Sequence, residues 1–239
     1  MIDFASLSDR NALSSMWQSI FLEDEEITEY FFDNIFGDII TPIIRIDGEI
    51  VSSLFLLDCK IGEHRGKCVY CAMTKYAHRG KGYMETLLDY SYKICLENGF
   101  EFLVLVPAEK SLFEYYKKRG FENFGIRRGY VFEGSIPKSK EKLDFDCELN
   151  FGEDILKHWK NACVYYGGEI ADFGMIFDDE NVIIRNADCD FDDIPESYKK
   201  SGNIIQGNVT FGECESPAMI KTENKNIKNM NCYIGVTLE

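Results

Sequence analysis

The stretch Tyr76-Ala77-His78-Arg79-Gly80-Lys81-Gly82-Tyr83-Met84 decides the fold of this chain, because two glycines alternate in it with two cations. A strand-like apolar run, residues 68–73, comes before it, and an amphipathic helical pattern over residues 83–98 follows it. The first turn of a helix leaves backbone N–H groups unpaired and carries partial positive charge, and glycine lets the backbone approach an anion closely. The stretch therefore predicts an anion-binding turn between a strand and a helix.

The segments on either side of this turn predict a parallel pair of strands. Residues 68–73 are apolar on both faces, which is typical of a strand buried in the middle of a sheet. The following helix is predicted to end at Gly99, and residues 102–106 form a second continuous apolar run. A strand, helix, strand order makes the two strands parallel through a right-handed crossover.

The remaining segments up to residue 132 alternate between helical and strand patterns. Residues 8–34 predict two helices, and Asp47-Gly48 predicts a hairpin turn between strands at 41–46 and 50–57. We expect residues 58–66 to form a polar loop. A short helix at about 110–119 and one strand from Phe121 to about Phe132 follow.

The chain beyond residue 133 predicts a second, smaller unit. Residues 134–142 are polar and turn-rich and form the best linker candidate. We therefore expect two domains, residues 1–133 and residues 143–239. The second contains a helix at about 153–165 and strands near 169–177, 181–187, 204–212, 216–221 and 231–238. The fold class is α/β (α+β), with a mixed central sheet flanked by helices and a strand-rich C-terminal part.

Two common phosphate-binding motifs do not fit this turn. A nucleoside-triphosphate P-loop requires Gly-x-x-x-x-Gly-Lys-Ser/Thr, which neither Gly66-Lys67-Cys68 nor Gly80-Lys81-Gly82 provides. A dinucleotide fingerprint requires Gly-x-Gly-x-x-Gly, and Glu85 stands where its third glycine belongs. Nicotinamide-dependent redox chemistry is therefore disfavoured.

A fuller pattern resembles the GNAT superfamily of N-acetyltransferases. Its acyl-CoA pyrophosphate loop reads Arg/Gln-x-x-Gly-x-Gly/Ala, which Arg79 and Gly82 match and from which Met84 departs at the last position. The family's Tyr-x-x-x-Gly-Phe signature is matched by Tyr116 to Phe121, one strand and one helix downstream. The resemblance covers about residues 1–132. Because of its long second part and of Met84 in the loop, the chain resembles the multidomain group related to the Eis aminoglycoside acetyltransferases. On this resemblance, the second part is interpreted as a reduced GNAT-like half.

The resemblance implies an enzyme that transfers an acetyl or other acyl group from acetyl-CoA to a primary amine, by direct attack in a ternary complex. Tyr116 is the residue implied to protonate the leaving thiolate, and Tyr115 is its neighbour without the Gly-Phe spacing. Glu239 is a candidate catalytic carboxylate, because the C-terminal carboxylate reaches the active site in the Eis-like group. An ordinary chain terminus is the alternative for Glu239. The residues implied to contact the cosubstrate are Ala72, Met73, Thr74, Arg79, Gly80, Lys81, Gly82, Tyr83 and Met84.

A rival interpretation from another class is a non-catalytic acyl-CoA sensor or an interaction module. It would keep the glycine-rich turn and lack a productive acid and base. We expect no metal cofactor. Residues three apart on a strand, such as Cys68 and Cys71, point to opposite faces, and no second ligand pair lies nearby. The acidic stretch from Asp188 departs from a calcium loop at Asp193 and Lys199.

The net charge of −15 disfavours nucleic acids and anionic membranes as partners. The acidic excess lies mainly in residues 131–239, which suggests a small-molecule amine acceptor, such as a polyamine, an aminoglycoside or a lysine-like amine. The chain has nine cysteines, most of them in apolar contexts, and no visible signal peptide or membrane-length apolar run, which together predict a reducing cytoplasm. The oligomeric state and the identity of the base stay open.

Overall fold

The computed structural model of the protein describes residues 2–172, 174–178 and 182–235. Helices in this part of the chain are α1 (Arg10–Phe21), α2 (Glu25–Asn34), α3 (Tyr83–Glu97), α4 (Lys110–Lys117), α5 (Glu153–Tyr165) and α6 (Lys225–Lys228). Strands are β1 (Ile2–Phe4), β2 (Pro42–Ile46), β3 (Glu49–Ile61), β4 (His64–Thr74), β5 (Phe102–Leu105), β6 (Glu122–Phe124), β7 (Arg127–Val131), β8 (Cys147–Phe151), β9 (Glu169–Ala171), β10 (Gly174–Asp178), β11 (Val182–Ala187), β12 (Ile204–Gly207), β13 (Glu213–Glu215), β14 (Ala218–Thr222) and β15 (Cys232–Tyr233).

The first sheet has the strand order β1-β2-β3-β4-β5-β14-β6, and β8 pairs with β3 and with β15. The parallel pairing predicted for the two apolar runs is confirmed, since Gly66 of β4 lies opposite Phe102 of β5. The predicted Asp47-Gly48 turn joins β2 to β3, which pair antiparallel. The α/β class is confirmed. None of the helices in the described residues combines the length and apolarity that crossing a bilayer requires.

Each face of the first sheet carries its own apolar core. On one face, Trp17 of α1 and Phe31 of α2 pack against Phe55 of β3. On the other face, Leu87 and Leu88 of α3 are fully buried against the sheet. The apolar spacing predicted for these three helices is therefore confirmed, and it places the glycine-rich turn and α1–α2 on opposite sides of β4.

The expectation of a polar loop at residues 58–66 was wrong. β3 and β4 continue through it as one long antiparallel hairpin, with Ile61 opposite His64 at its end. Within the expected loop the side chains alternate, because Asp58 and Lys60 are exposed whereas Cys59 and Ile61 are buried. This period of two is the strand signal that the polar residues concealed.

The expectation of one strand from Phe121 to Phe132 was also wrong. The chain forms β6 in the first sheet and then, after Gly125, β7 in a second sheet. Gly125 has φ 71°, and a Cβ added there would lie 2.2 Å from Ile234 Cγ1. Only glycine fits this turn from one sheet to the other.

The second sheet has the order β13-β7-β12-β11-β10-β9, with a core formed by residues such as Phe132, Ile176 and Ile205. The predicted helix at 153–165 is confirmed as α5. The strand predicted at 216–221 is confirmed as β14, which lies in the first sheet between β5 and β6. The pairings of β1, β8 and β13 were not foreseen.

The division into residues 1–133 and 143–239 stays a prediction, and the strands do not follow it. β7 precedes the linker and lies in the second sheet, whereas β8, β14 and β15 follow the linker and belong to the first. Residues 134–142 themselves have no regular secondary structure. The two parts of the sequence thus share both sheets.

Candidate active site

The glycine-rich turn has the geometry that the sequence predicts. β4 ends at Thr74, a single 3-10 turn covers Tyr76–His78, and α3 begins at Tyr83 directly after Gly82. Gly80 and Gly82 have φ of 74° and 78°. No atom lies within 4 Å of a Cβ added to either glycine, so it is the left-handed backbone rather than space that requires glycine there.

This turn presents donors and positive charge to the solvent. The first backbone hydrogen bond of α3 is donated by the Thr86 N–H to the Gly82 carbonyl oxygen, at 3.0 Å. The N–H groups of the residues before Thr86 therefore point out of the helix N-terminus. The Arg79 guanidinium lies 4.0 Å from the centre of the Tyr76 ring, and its Nε donates to the Thr74 carbonyl oxygen at 3.1 Å. The side chain is thereby held against the turn, and Lys81 beside it is exposed.

A second feature of the candidate site, after the glycine-rich turn, is a β-bulge in β4. Ser53 of β3 lies opposite Met73 and Phe55 lies opposite Tyr70, so Cys71 and Ala72 together face Leu54. Cys71 has φ 46°, which is unusual for a residue with a side chain. Because of the extra residue, Cys71 packs against the same core as Cys68. The expectation that the two cysteines point to opposite faces was therefore wrong.

The same part of β4 separates from β5. The parallel pairing extends from Gly66 opposite Phe102 to Cys68 opposite Val104, and no pairing between these strands is present after it in the described residues. A cavity of about 560 Å³ occupies the resulting gap. Both faces of the sheet contribute to its wall, since Leu112 and Tyr116 of α4 line it together with Trp17 of α1.

Tyr116 is therefore placed in the cavity wall, as its predicted role requires. Its side chain is 8% exposed, and its ring packs against Tyr115 and Phe121. Burial, and to a lesser extent the neighbouring Tyr115, raises the pKa of Tyr116 to about 12. The hydroxyl is thus protonated at neutral pH. Tyr115 is instead covered by the Arg119 guanidinium, 3.5 Å from its ring centre.

The other predicted cosubstrate contacts divide into three groups. Ala72 lines the cavity beside the bulge. Met73 is fully buried in the core, and the Thr74 hydroxyl lies 2.8 Å from the Ser52 hydroxyl. Tyr83 and Met84 are half-buried against the core under α3. Glu239, the predicted C-terminal carboxylate, lies outside the described residues.

Glu23 is a cavity residue that the sequence reasoning missed. It lies between α1 and α2, and its carboxylate accepts a hydrogen bond of 2.7 Å from the Tyr166 hydroxyl, at the end of α5. Burial, and next the Glu23 charge, raise the pKa of the Cys71 thiol well above its ordinary value. The carboxylate therefore lies near the bulge. In the sequence Glu23 is the first of four consecutive acidic residues, and nothing in that run distinguishes it from its neighbours.

The buried His158 and the half-buried Tyr70 form a polar pair in the same cavity. His158 Nε2 lies 3.5 Å from the Tyr70 hydroxyl, and the imidazole stacks on Tyr30 with ring centres 5.9 Å apart. Burial lowers the pKa of His158 to about 4. The imidazole is thus neutral near pH 7 and is a weak base there.

Over the described ranges, no three His, Cys, Asp or Glu side chains come together as a metal site requires. The cysteines of this part of the chain are free thiols.

The sequence matches the family model described as the acetyltransferase (GNAT) domain over residues 2–124, which is more than half of the chain. The chain belongs to the GNAT acetyltransferase family. The matched segment contains the glycine-rich turn, the bulge in β4 and Tyr116, and of these the bulge and Tyr116 line the cavity. No curated protein sequence matches the chain.

Solved structures share the fold over nearly the whole length of this GNAT chain. A probable N-acyltransferase from Enterococcus faecalis has a TM-score of 0.61 at 9% identity, covering 93% of this chain and 72% of its own. Eis1 from Mycobacterium abscessus has a TM-score of 0.60 at 8% identity, covering 93% and 73%. A GCN5-related N-acetyltransferase from Anabaena variabilis has a TM-score of 0.60 at 12% identity, covering 94% and 73%. Both parts of the sequence are therefore included in the common fold.

Proposed function

We propose that this protein transfers an acyl group, acetyl in the simplest case, from acyl-CoA to a small-molecule primary amine by direct attack. The observation that carries the proposal is the cavity through the gap between β4 and β5. It holds Tyr116 on the face where α3 begins and Glu23 on the face of α1 and α2. A donor entering from one face and an acceptor entering from the other would meet at the bulge.

The donor would be held by the glycine-rich turn. The unpaired N–H groups at the start of α3 suit the pyrophosphate, and Arg79 and Lys81 add positive charge. The pantetheine arm would follow β4 past Ala72, where the strand has left β5 and its backbone groups are available. A backbone N–H at the bulge would polarise the thioester carbonyl.

Tyr116 would act on the leaving sulfur by donating a hydrogen bond. Its pKa of about 12 exceeds that of a thiol, which is about 8.5, so complete proton transfer would cost about 5 kcal/mol. A hydrogen bond to the developing thiolate requires no such transfer and strengthens as charge forms.

The amine must lose a proton before or during attack. A lysine-like amine has a pKa near 10.4, so its neutral form costs about 4.6 kcal/mol at pH 7. Glu23 is the carboxylate among the described lining residues, and we propose that the proton leaves the amine through Glu23 or through water beside it. The neutral His158 is too weak a base for this step.

Two variants test the proposed roles of Tyr116 at the leaving sulfur and of Arg79 at the pyrophosphate. Tyr116→Phe should lower turnover about 10- to 100-fold with little change in CoA affinity, because one hydrogen bond to a charged group is lost. Arg79→Glu should weaken CoA binding about 10-fold or more, because an attractive charge becomes repulsive. Calorimetric CoA titration and a thiol-release assay over an amine panel supply the measurements.

The same measurements separate the enzyme from a CoA sensor. CoA binding that depends on Arg79, with no thiol release on any amine, would favour the sensor. Unchanged turnover in Tyr116→Phe would remove the tyrosine from the mechanism, and unchanged CoA affinity in Arg79→Glu would remove the turn.

A further inference from the structure

The wall of the cavity on the acceptor face does not share the acidic character of the whole molecule. Among the described residues that line the cavity, Glu23 is the one carboxylate and Arg185 the one permanent cation. Asp188 and Asp190, which contribute to the charge of −15, instead accept hydrogen bonds from Lys142 and Thr210, and neither carboxylate lines the cavity. The net charge is therefore a poor guide to the acceptor.

The wall itself is mainly apolar, and it includes several aromatic rings. The rings on the acceptor side come from three regions of the chain, which are α1, β4 and the part of the sequence that follows residues 134–142. They belong to Trp17, Phe21, Tyr70, Phe151, Trp159 and Phe177. Binding of an apolar group to such a wall is favourable because apolar surface is removed from water, and the ring faces also attract a single cation.

Glu23 is fixed in position relative to this wall. The Tyr166 hydroxyl donates to its Oε2 at 2.7 Å, and burial and this hydrogen bond raise the pKa of Tyr166 to about 12, which keeps the donor proton in place. Glu23, Tyr70 and Cys71 line the same cavity, so the carboxylate shares its wall with the bulge where the thioester would lie. One carboxylate at this point compensates one ammonium group.

Among the described residues that line the cavity, no second carboxylate would compensate a second ammonium group. Beyond Glu23 it would enter the aromatic wall, where transfer of an unpaired charge out of water is costly. The Arg185 guanidinium lies on the same wall, 5.4 Å from the centre of the Phe177 ring. The described part of the wall therefore suits one ammonium group better than several.

We propose that the acceptor is a monocationic primary amine with a bulky apolar or aromatic body, bound with its nitrogen beside Glu23 and its body against Trp17, Trp159 and Phe177. This class differs from the polyamines and aminoglycosides that the overall charge suggests. The proposal rests on the proposed acyl transfer, because it assigns the acceptor of that reaction. The cavity volume of about 560 Å³ lies within the range of small-molecule sites.

Calorimetric titration of the CoA-saturated protein tests the class without requiring turnover. 2-Phenylethylamine should bind at least 10-fold more tightly than spermidine or butylamine. Glu23→Gln should weaken 2-phenylethylamine binding about 10-fold or more. Glu29→Gln, an exposed carboxylate on α2 outside the cavity wall, should leave it unchanged. Tyr166→Phe, which frees the Glu23 side chain, should weaken binding by a smaller factor.

The outcomes separate this proposal from the acyl transfer on which it rests. Equal or tighter binding of spermidine, an absence of 2-phenylethylamine binding, or unchanged binding in a folded Glu23→Gln variant would overturn the acceptor class. Selective, Glu23-dependent amine binding without thiol release from acetyl-CoA would keep the class and overturn the transfer. Circular dichroism of each variant establishes that it is folded.

Discussion

At the residue scale, the cavity depends on side chains whose ionisation is set by burial. His158 is 1% exposed and is surrounded by the rings of Trp17, Tyr30 and Phe31, so its charged form is disfavoured and its pKa falls to about 4. An imidazole has a pKa near 6.5 in an unfolded chain. The unfolded protein therefore binds one proton more than the folded protein between these two values.

This difference predicts a pH-dependent stability. As the pH falls from 7 to 5, the unfolded state gains the proton and the free energy of unfolding should decrease by about 2 kcal/mol from His158 alone. His158→Phe keeps a ring among rings and removes the titration, so its urea midpoints at pH 7 and pH 5 should lie closer together than those of the wild type. If the urea midpoint changed equally between pH 7 and pH 5 in both proteins, His158 would not be the group responsible for the pH dependence.

The roles of single residues could be predicted from sequence only where a motif fixes them. Arg79, Gly80 and Gly82 belong to a local pattern, and the structure places them at the start of α3 as predicted. Glu23 acquires its place through Tyr166, 143 residues away, and no local pattern records that contact. Long-range partners of this kind are accessible only once the chain is folded.

At the element scale, β4 is the strand that opens the sheet. Residues 66–68 pair with both β3 and β5, whereas from Val69 onward, through the bulge at Cys71 and Ala72, the strand pairs within the described residues with β3 alone. The apolar pattern predicted this strand and its neighbour correctly. The bulge escaped prediction because an extra residue does not alter an uninterrupted apolar run.

The left-handed backbone at Cys71 provides a test of the bulge. A β-branched side chain is disfavoured at positive φ, so Cys71→Val should lower the free energy of unfolding by about 1–2 kcal/mol more than Cys68→Val does. Cys68 lies in the same strand and contacts the same core, in the regularly paired part. Urea denaturation under reducing conditions supplies both values. Equal losses would show that the bulge is absent in solution.

At the scale of the whole molecule, the two parts of the sequence interleave. β14 pairs with β5 on one side and with β6 on the other, and α5 places Trp159 in the first core. The linker at 134–142 suggested a boundary because its composition is polar. Composition reports local flexibility, and it carries no information about which sheet the following strands join.

The strand pairings predict how the chain responds to division. A fragment of residues 1–133 lacks β14 and should fail to unfold cooperatively, because β5 and β6 have no strand between them. A full-length chain cut at a protease site inserted in 134–142 should stay folded as a complex. Circular dichroism melts of both samples provide the comparison. A cooperative melt of the fragment alone would show that the first part is an independent domain.

The position of β14 also determines when the first sheet can be completed during synthesis of the chain. The strands on either side of its place are complete at residues 105 and 124, yet residues 218–222 leave the ribosome much later. At typical elongation rates this delay lasts on the order of ten seconds. Throughout it the apolar edge of β5 is open to pairing with other nascent chains, which makes the half-made protein a natural client for chaperones.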